Sequence, residues 1–305
     1  MRYLVITILF FSGFCSSNFL NAGEHDDLIF KDKPDNVTVD YTPKDSLIFF
    51  DAIDFIFENV DVSSATVSDY IVAAGTFFIG TPYVAGTLDN FKNERVTVNL
   101  RGMDCVTFVE NSLALGFIAY YNKCEFDLLS RALYNLRYRD DKVLSGRKLS
   151  YFDRLHYFSE WLQVNKKRYD ITLISDIVGD KELDTNVNFI SSNPDAYPRI
   201  KEDSSYIDKF KNSEQAISQF DMRYIPKEKI NSICNSVKSG DVIALVTSID
   251  GLDVSHTGLA FLKNEQLFLL HASLRNDEVE ITPVELQEYL KPLDNVKGIL
   301  VARFN

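Results

Sequence analysis

"VSHTGLAFLKNEQLFLLHAS", residues 254–273, holds two apolar runs separated by a short polar break, with a histidine near each outer end. Such runs, rich in leucine, phenylalanine and β-branched residues, read as the two strands of a hairpin. A two-residue turn at Lys263-Asn264 pairs Leu262 with Glu265, and therefore His256 with His271. Moving the loop by one residue at both ends sets Ser273 opposite His256 instead. In either register His256, His271 and Ser273 share one face of the sheet. The hairpin is preceded by "DVIALVTSI" (241–249) and a turn at Asp250-Gly251, and "GILVARF" (298–304) ends the chain. The closing third is therefore expected to be an antiparallel sheet. Before its last strand, "TPVELQEYL" (282–290) reads as a helix with Thr282 as cap, Pro283 at the first position and Glu285 completing a capping box.

Upstream the texture is helical, which makes the fold class α+β. "DSLIFFDAIDFIFENV" (45–60) and "SATVSDYIVAAGTFFIG" (64–80) have helical apolar spacing, and Gly80 stops the second before Pro82. The loop "GTPYVAGTLDNF" leads to a strand-like "RVTVNL", and then comes "MDCVTFVENSLALG" (103–116). There Asp104 is a good N-cap, Cys105 falls in the first turn, and Val106, Val109, Leu113 and Phe117 form a stripe. Two more helical segments lie between 126 and 169, the second being "YFDRLHYFSEWLQVNKKR". Residues 171–230 read as irregular elaboration of the core.

The N-terminus reads differently from the rest. Arg2 precedes an almost unbroken apolar run to Phe14, and "SSNFLNA" ends at Ala22, so residues 1–22 are expected to be a secretory signal. Bulky Phe14 argues against a lipoprotein site at Cys15. Residues 23–44 are polar and acidic, a flexible arm, and 45–305 form one domain with a helical or irregular insertion at about 122–237. The chain carries a formal charge of −12, or −13 without the signal, whose one charge is Arg2. That acidity argues against a nucleic-acid partner. No membrane span is expected once the signal is gone.

Three cysteines remain beyond the signal, Cys105, Cys124 and Cys234, so at least one thiol stays free in an oxidising compartment. A cysteine in the first turn of a helix lies near unpaired amides and the positive end of the dipole, which favour thiolate. The same residue type is equally at home as a buried apolar side chain. The histidines available beyond the signal are His25, His156, His256 and His271. His25 lies in the polar arm, whereas His256 and His271 on adjacent strands suit a general base held by a second imidazole. Cys105, His256, His271 and His156 would also be an admissible zinc set, but they lack short ligand spacing. No metal and no cofactor is expected.

Taken in order, "GTPYVAGTLD", "DCVTFVE", "SGDVIALVT" and "HTGLAF" resemble the NlpC-type superfamily of papain-like bacterial cell-wall cysteine peptidases and amidases. More narrowly, "RGMDCVTFVENSLAL", "RLHYFSEWL", "GLDVSHTGLAF" and "LLHAS" resemble its exported N-acetylmuramoyl-L-alanine amidase-like branch. The resemblance implies a papain-like core with a nucleophile helix on an antiparallel sheet, Cys105 as nucleophile, His256 as base and His271 as orienting member. It also implies Tyr83 near the thiolate, and Asp253 and Ser255 holding a polar group of the peptide stem. Arg154 with His156 would reach the sugar or a carboxylate, and Asp104 and Ser273 join this substrate-side set. Where many such enzymes have a serine after the cysteine, this chain has Val106 and Thr107. The implied reaction cleaves the amide between N-acetylmuramic acid and L-alanine in muropeptides, in the periplasm or outside the cell. An endopeptidase cutting between D-glutamate and the diamino acid, or a non-catalytic muropeptide-binding module, would share the fold.

Overall fold

The computed structural model describes residues 26–139 and 147–305, so the expected signal over 1–22 and His25 lie outside the described residues. Among these residues eight strands make one sheet. They are β1 (Ile171–Leu173), β2 (Lys181–Glu182), β3 (Arg223–Pro226), β4 (Val242–Thr247), β5 (Val254–Lys263), β6 (Gln266–Ser273), β7 (Glu278–Ile281) and β8 (Val296–Phe304). The order is β2-β3-β8-β4-β5-β6-β7, with β1 also pairing β8, and every pairing is antiparallel. The sheet is wider than the sequence suggests, because β1, β2 and β3 come from the segment read as irregular. Two- to four-residue strands are too short to show an alternating pattern.

One face of the sheet is covered by α1 (Pro43–Asn59), α2 (Val67–Phe77), α3 (Cys105–Tyr120), α4 (Phe126–Arg137) and α5 (Phe158–Arg168). Helix α3 is the centre of this layer. It is buried on all sides from Thr107 to Ala119 rather than along one stripe, which is what a helix enclosed by other helices and a sheet requires. Its close fit depends on Gly116, where a Cβ would lie 2.8 Å from Ile71 Cα of α2. A second apolar layer on the opposite face joins Leu267, Leu269 and Ala260 to Leu286 and Leu290 of the short helix α6 (Leu286–Leu290). Cys124 packs with the first layer and Cys234 with the second.

Several local expectations are corrected. The hairpin turn is Asn264-Glu265, with φ of 52° and 62°, both positive as a type I′ turn needs. Lys263 therefore stays in the strand, paired with Gln266, and Leu259 pairs with Leu270. This is the register that puts Ser273, not His271, across from His256. Helix α6 starts at Leu286, because Thr282 is held to the sheet: its N–H donates to Leu269 O at 2.9 Å and its hydroxyl accepts from Leu269 N–H at 3.2 Å. Residues 151–168 are not one helix. A 3-10 turn, Tyr151–Asp153, closed by a Ser150/Asp153 capping box, precedes an extended link, and α5 begins only at Phe158. From residue 29 the polar arm is tied down, with Ile29, Phe30 and Val37 buried and Asn135 of α4 donating to Ile29 O and Lys31 O. Among the described residues no helix is long and apolar enough to cross a membrane.

Candidate active site

Cys105 is the first residue of α3, and Asp104 fixes that start. The Asp104 carboxylate accepts from the Thr107 backbone N–H at 2.9 Å and its hydroxyl at 2.8 Å, while the Asp104 N–H donates to the Thr107 hydroxyl. The departure from a serine after the cysteine thus gives a reciprocal cap through Thr107. The first helical bond runs from Phe108 N–H to Asp104 O, so the amides of Cys105 and Val106 stand outside the helix's own ladder. Amides in that position suit an oxyanion.

Strand β5 meets this helix end. The Thr257 hydroxyl donates to Cys105 O at 2.9 Å. Cys105 is therefore docked on the residue that directly follows His256. Burial pushes the thiol up to about 11, and the Asp104 charge adds to that, while hydrogen bonding from Thr257 and Val106 pulls the other way. Tyr83 reaches the same spot from the loop after α2, where it bridges Met103. Its phenol is pushed up to about 12, first by burial and then by Cys105 and Asp104.

His256 Nε2 and His271 Nδ1 are 2.7 Å apart, with the rings perpendicular. Two features of the backbone produce that contact although the residues are not direct partners. A β-bulge at Ser255 lets Leu245 face His256 while Val246 faces Val254, which re-aims the imidazole. Gly258 then leaves room, since a Cβ there would lie 2.9 Å from His271 Cβ. Burial pulls His256 down to about 4, and burial with the neighbouring imidazole pulls His271 down to about 3. Burial thus disfavours the charged form of the thiol and of both imidazoles. The ring nitrogens are nearer than two ligands of one tetrahedral zinc, about 3.3 Å apart. Among the described residues no group of three His, Cys, Asp or Glu is arranged to hold a metal ion.

The other sequence-derived residues fall in distinct places. Ser255 is exposed in the bulge, and buried Ser273 accepts from Asn276 N–H in the next turn. Asp253 is buried and caps α5, accepting from Ser159 N–H at 2.7 Å; burial raises its carboxyl and the bonds to Ser159 oppose this. Arg154 pairs with Glu94 and Asp89 at 3.0 Å each. His156 bonds Tyr151 O through Nε2 and lies tilted against Tyr151 and edge-on to Phe210, and burial holds it well below the ordinary histidine range. Geometry thus gathers Tyr83, Asp104 and Cys105 at the start of α3 and His256 with His271 on the sheet, with Thr257 joining the two groups, and it ties Arg154, His156 and Asp253 into structural contacts. Thr257 and Gly258 were missed; a glycine inside a strand, two residues after a histidine, was the available signal.

Residues 73–299 match the AmiA-like family, described as N-acetylmuramoyl-L-alanine amidase-like. The chain belongs to this family. No curated protein matches it. Among solved structures, the AmiA-like chain is similar to an N-acetylmuramoyl-L-alanine amidase from Bacteroides uniformis, with 28% identity and a TM-score of 0.73 over 79% of this chain and 100% of that one. It is also similar to a Bacteroides fragilis protein provisionally named a xylanase, at 32% identity and TM-score 0.69, covering 75% and 98%. A Legionella pneumophila protein at 22% identity and TM-score 0.58, covering 85% and 96%, shares the fold alone. The AmiA-like fold is thus a mixed α+β one with an antiparallel sheet, and its family and neighbours support an amidase acting on peptidoglycan.

Proposed function

We propose that this chain is an exported, cysteine-dependent amidase of papain-like NlpC type. It would cleave the bond between the lactyl group of N-acetylmuramic acid and L-alanine in small muropeptides. The observation that carries this reading is the seating of Cys105, at a helix N-terminus, against the strand residue next to a histidine that contacts a second histidine. In this mechanism His256 takes the thiol proton and the sulfur attacks the lactyl carbonyl carbon. The oxyanion is received by the Cys105 and Val106 amides. Collapse expels the L-alanine amine, to which His256 returns the proton, leaving a thioester. Water, deprotonated by the same imidazole, then releases the muramic acid and restores the thiol. A neutral resting pair suits this chemistry, since charge arises only when a carbonyl is present to accept the sulfur.

Xylan hydrolysis asks for something else, a pair of carboxyl groups flanking a glycosidic bond. The carboxylate beside the thiol, Asp104, is occupied in capping α3. An acidic chain also has no long-range attraction for an anionic wall polymer, which favours small diffusible fragments. The test is a defined muropeptide followed by mass spectrometry. Free N-acetylmuramic acid and intact stem peptide are expected, and a sugar still carrying a dipeptide would overturn the bond assignment in favour of stem endopeptidase. Cys105→Ala is expected to abolish turnover and chelator to leave it intact. Unchanged hydrolysis by Cys105→Ala would remove the nucleophile. N-terminal sequencing of the secreted protein, expected to start at Gly23, tests export.

A further inference from the structure

We infer that Glu280 is a positioning residue that selects the tautomer of the His256–His271 pair; the inference rests on the cysteine-hydrolase reading above. It begins with counting protons. A neutral imidazole has one N–H, and one proton lies between His256 Nε2 and His271 Nδ1 at 2.7 Å. If His256 donates, its Nδ1 is bare and able to take a thiol proton, and His271 carries its own proton on Nε2. If His271 donates, His256 is protonated at Nδ1 and has no basic nitrogen left for the thiol. Only the first arrangement works as a base.

The choice is made at the far nitrogen of His271. That residue is 2% exposed, and its Nε2 is a buried atom with no hydrogen-bond partner. Glu280 pairs directly with His271 across the β6–β7 ladder, with Oε1 4.0 Å from that Nε2. Its carboxylate is held from behind by Asn276, whose Nδ2 donates to both oxygens at 2.8 and 2.7 Å. A shift of about 1 Å would close a hydrogen bond from Nε2–H to Oε1. A bare Nε2 would instead turn its lone pair on the carboxylate. Glu280 therefore favours Nε2–H on His271, hence an accepting Nδ1, hence a donating His256 with its basic nitrogen free. The remaining neighbour is Tyr289 of α6, ring centroids 5.9 Å apart, whose phenol is raised by burial and by Glu280, with Arg275 opposing. It offers no competing charge.

The experiment is imidazole nitrogen NMR on the full chain, together with kcat and KM on a defined muropeptide. Wild type is expected to show Nε2–H at His271. In Glu280→Ala the proton is expected to move to Nδ1 in a large fraction of molecules, with kcat lower by about tenfold and KM within about twofold. Glu280→Gln keeps an acceptor oxygen and is expected to restore the tautomer and most of kcat. Asn276→Ala, in an exposed turn, is expected to give a smaller exchange of the same kind without disturbing the sheet. Unchanged His271 tautomer in both alanine variants overturns the inference. Because the spectra do not depend on turnover, they still decide the role of Glu280 if Cys105→Ala shows that the cysteine reading is wrong.

Discussion

Gly258→Ala adds one methyl group to β5, at the point where His271 leans toward His256. The new Cβ would lie 2.7 Å from Leu270 O, 2.9 Å from His271 Cβ and 2.9 Å from Leu269 Cδ1. The leucine tip can swing aside, but the carbonyl belongs to the backbone of β6 and the histidine Cβ is bonded directly to it. Relief to an ordinary contact moves His271 by about 0.7 Å, which stretches the 2.7 Å His256–His271 contact to about 3.4 Å, beyond hydrogen-bonding distance. A hydrogen bond to a group that becomes charged is worth about 1.5–3 kcal/mol, so kcat should fall by about 10- to 100-fold. Overpacking should separately remove about 1–3 kcal/mol of stability. The assay is kcat on muropeptide well below the variant's own melting temperature, paired with denaturant unfolding, so that loss of folded protein is subtracted from loss of chemistry. A variant that is destabilised yet turns over at the wild-type rate would show that the His256–His271 contact does not serve the reaction. One that is neither destabilised nor slowed would refute the packing argument itself.

Thr257→Val keeps shape but leaves Cys105 O without its 2.9 Å donor, and should cost about 1 kcal/mol of stability and slow alkylation of Cys105 by iodoacetamide; an unchanged alkylation rate would detach Thr257 from the thiol. Both site imidazoles are held low, at about 4 and about 3, so below pH 6.5 the unfolded chain binds more protons than the folded one. Their contribution is complete above that pH and is lost as pH falls through 6.5 toward those values, by about 2 kcal/mol per histidine at pH 5. Denaturation midpoints at pH 7.5 and 5.0 measure it, and coincident midpoints would contradict the burial of the pair. Arg154→Ala should cost about 3–5 kcal/mol, because Glu94, its side chain 2% exposed, is left as an uncompensated buried charge. A variant with intact stability and raised KM alone would instead place Arg154 on the substrate.

What the sequence made legible is what local spacing controls. The start of α3 could be placed at Cys105 because an N-cap is a contact within four residues, and the chain supplies both halves of it in Asp104 and Thr107. Alternation in "VSHTGLAFL" and "QLFLLHAS" puts both histidines on one face in either register, so they share that face although they are not direct strand partners. The turn falls one residue later than its spacing suggests, because Asn264 holds its first position and not its second; the left-handed φ of Glu265 is unusual for its residue type. The bulge at Ser255 has no local signature, since an extra residue is defined only by the partner strand. Distance likewise hid the ion pairs. Arg154 looked available for substrate because Glu94, the carboxylate that occupies it, lies 60 residues away.

The carboxylates around the site are committed to structural contacts, which accords with the proposed sulfur and imidazole chemistry. Asp104 commits Oδ1 to the cap of α3, and Asp253 commits Oδ2 to the N-terminus of α5. Glu110, on α3 itself, is paired with Arg137 of α4 at 2.7 Å, both side chains 2% exposed, and Arg137 also donates to Thr97 O. Breaking such a buried pair is costly, so these contacts hold the helix that carries Cys105 to its neighbours. Asp253 does the corresponding work for β5, since it sits three residues before His256 and bonds to a helix from the inserted segment. The inserted segment thus grips the strand that carries His256, while α4 grips the helix that carries Cys105. In the proposed mechanism, a thiol and an imidazole held on elements fixed in this way would need little reorganisation when the proton moves.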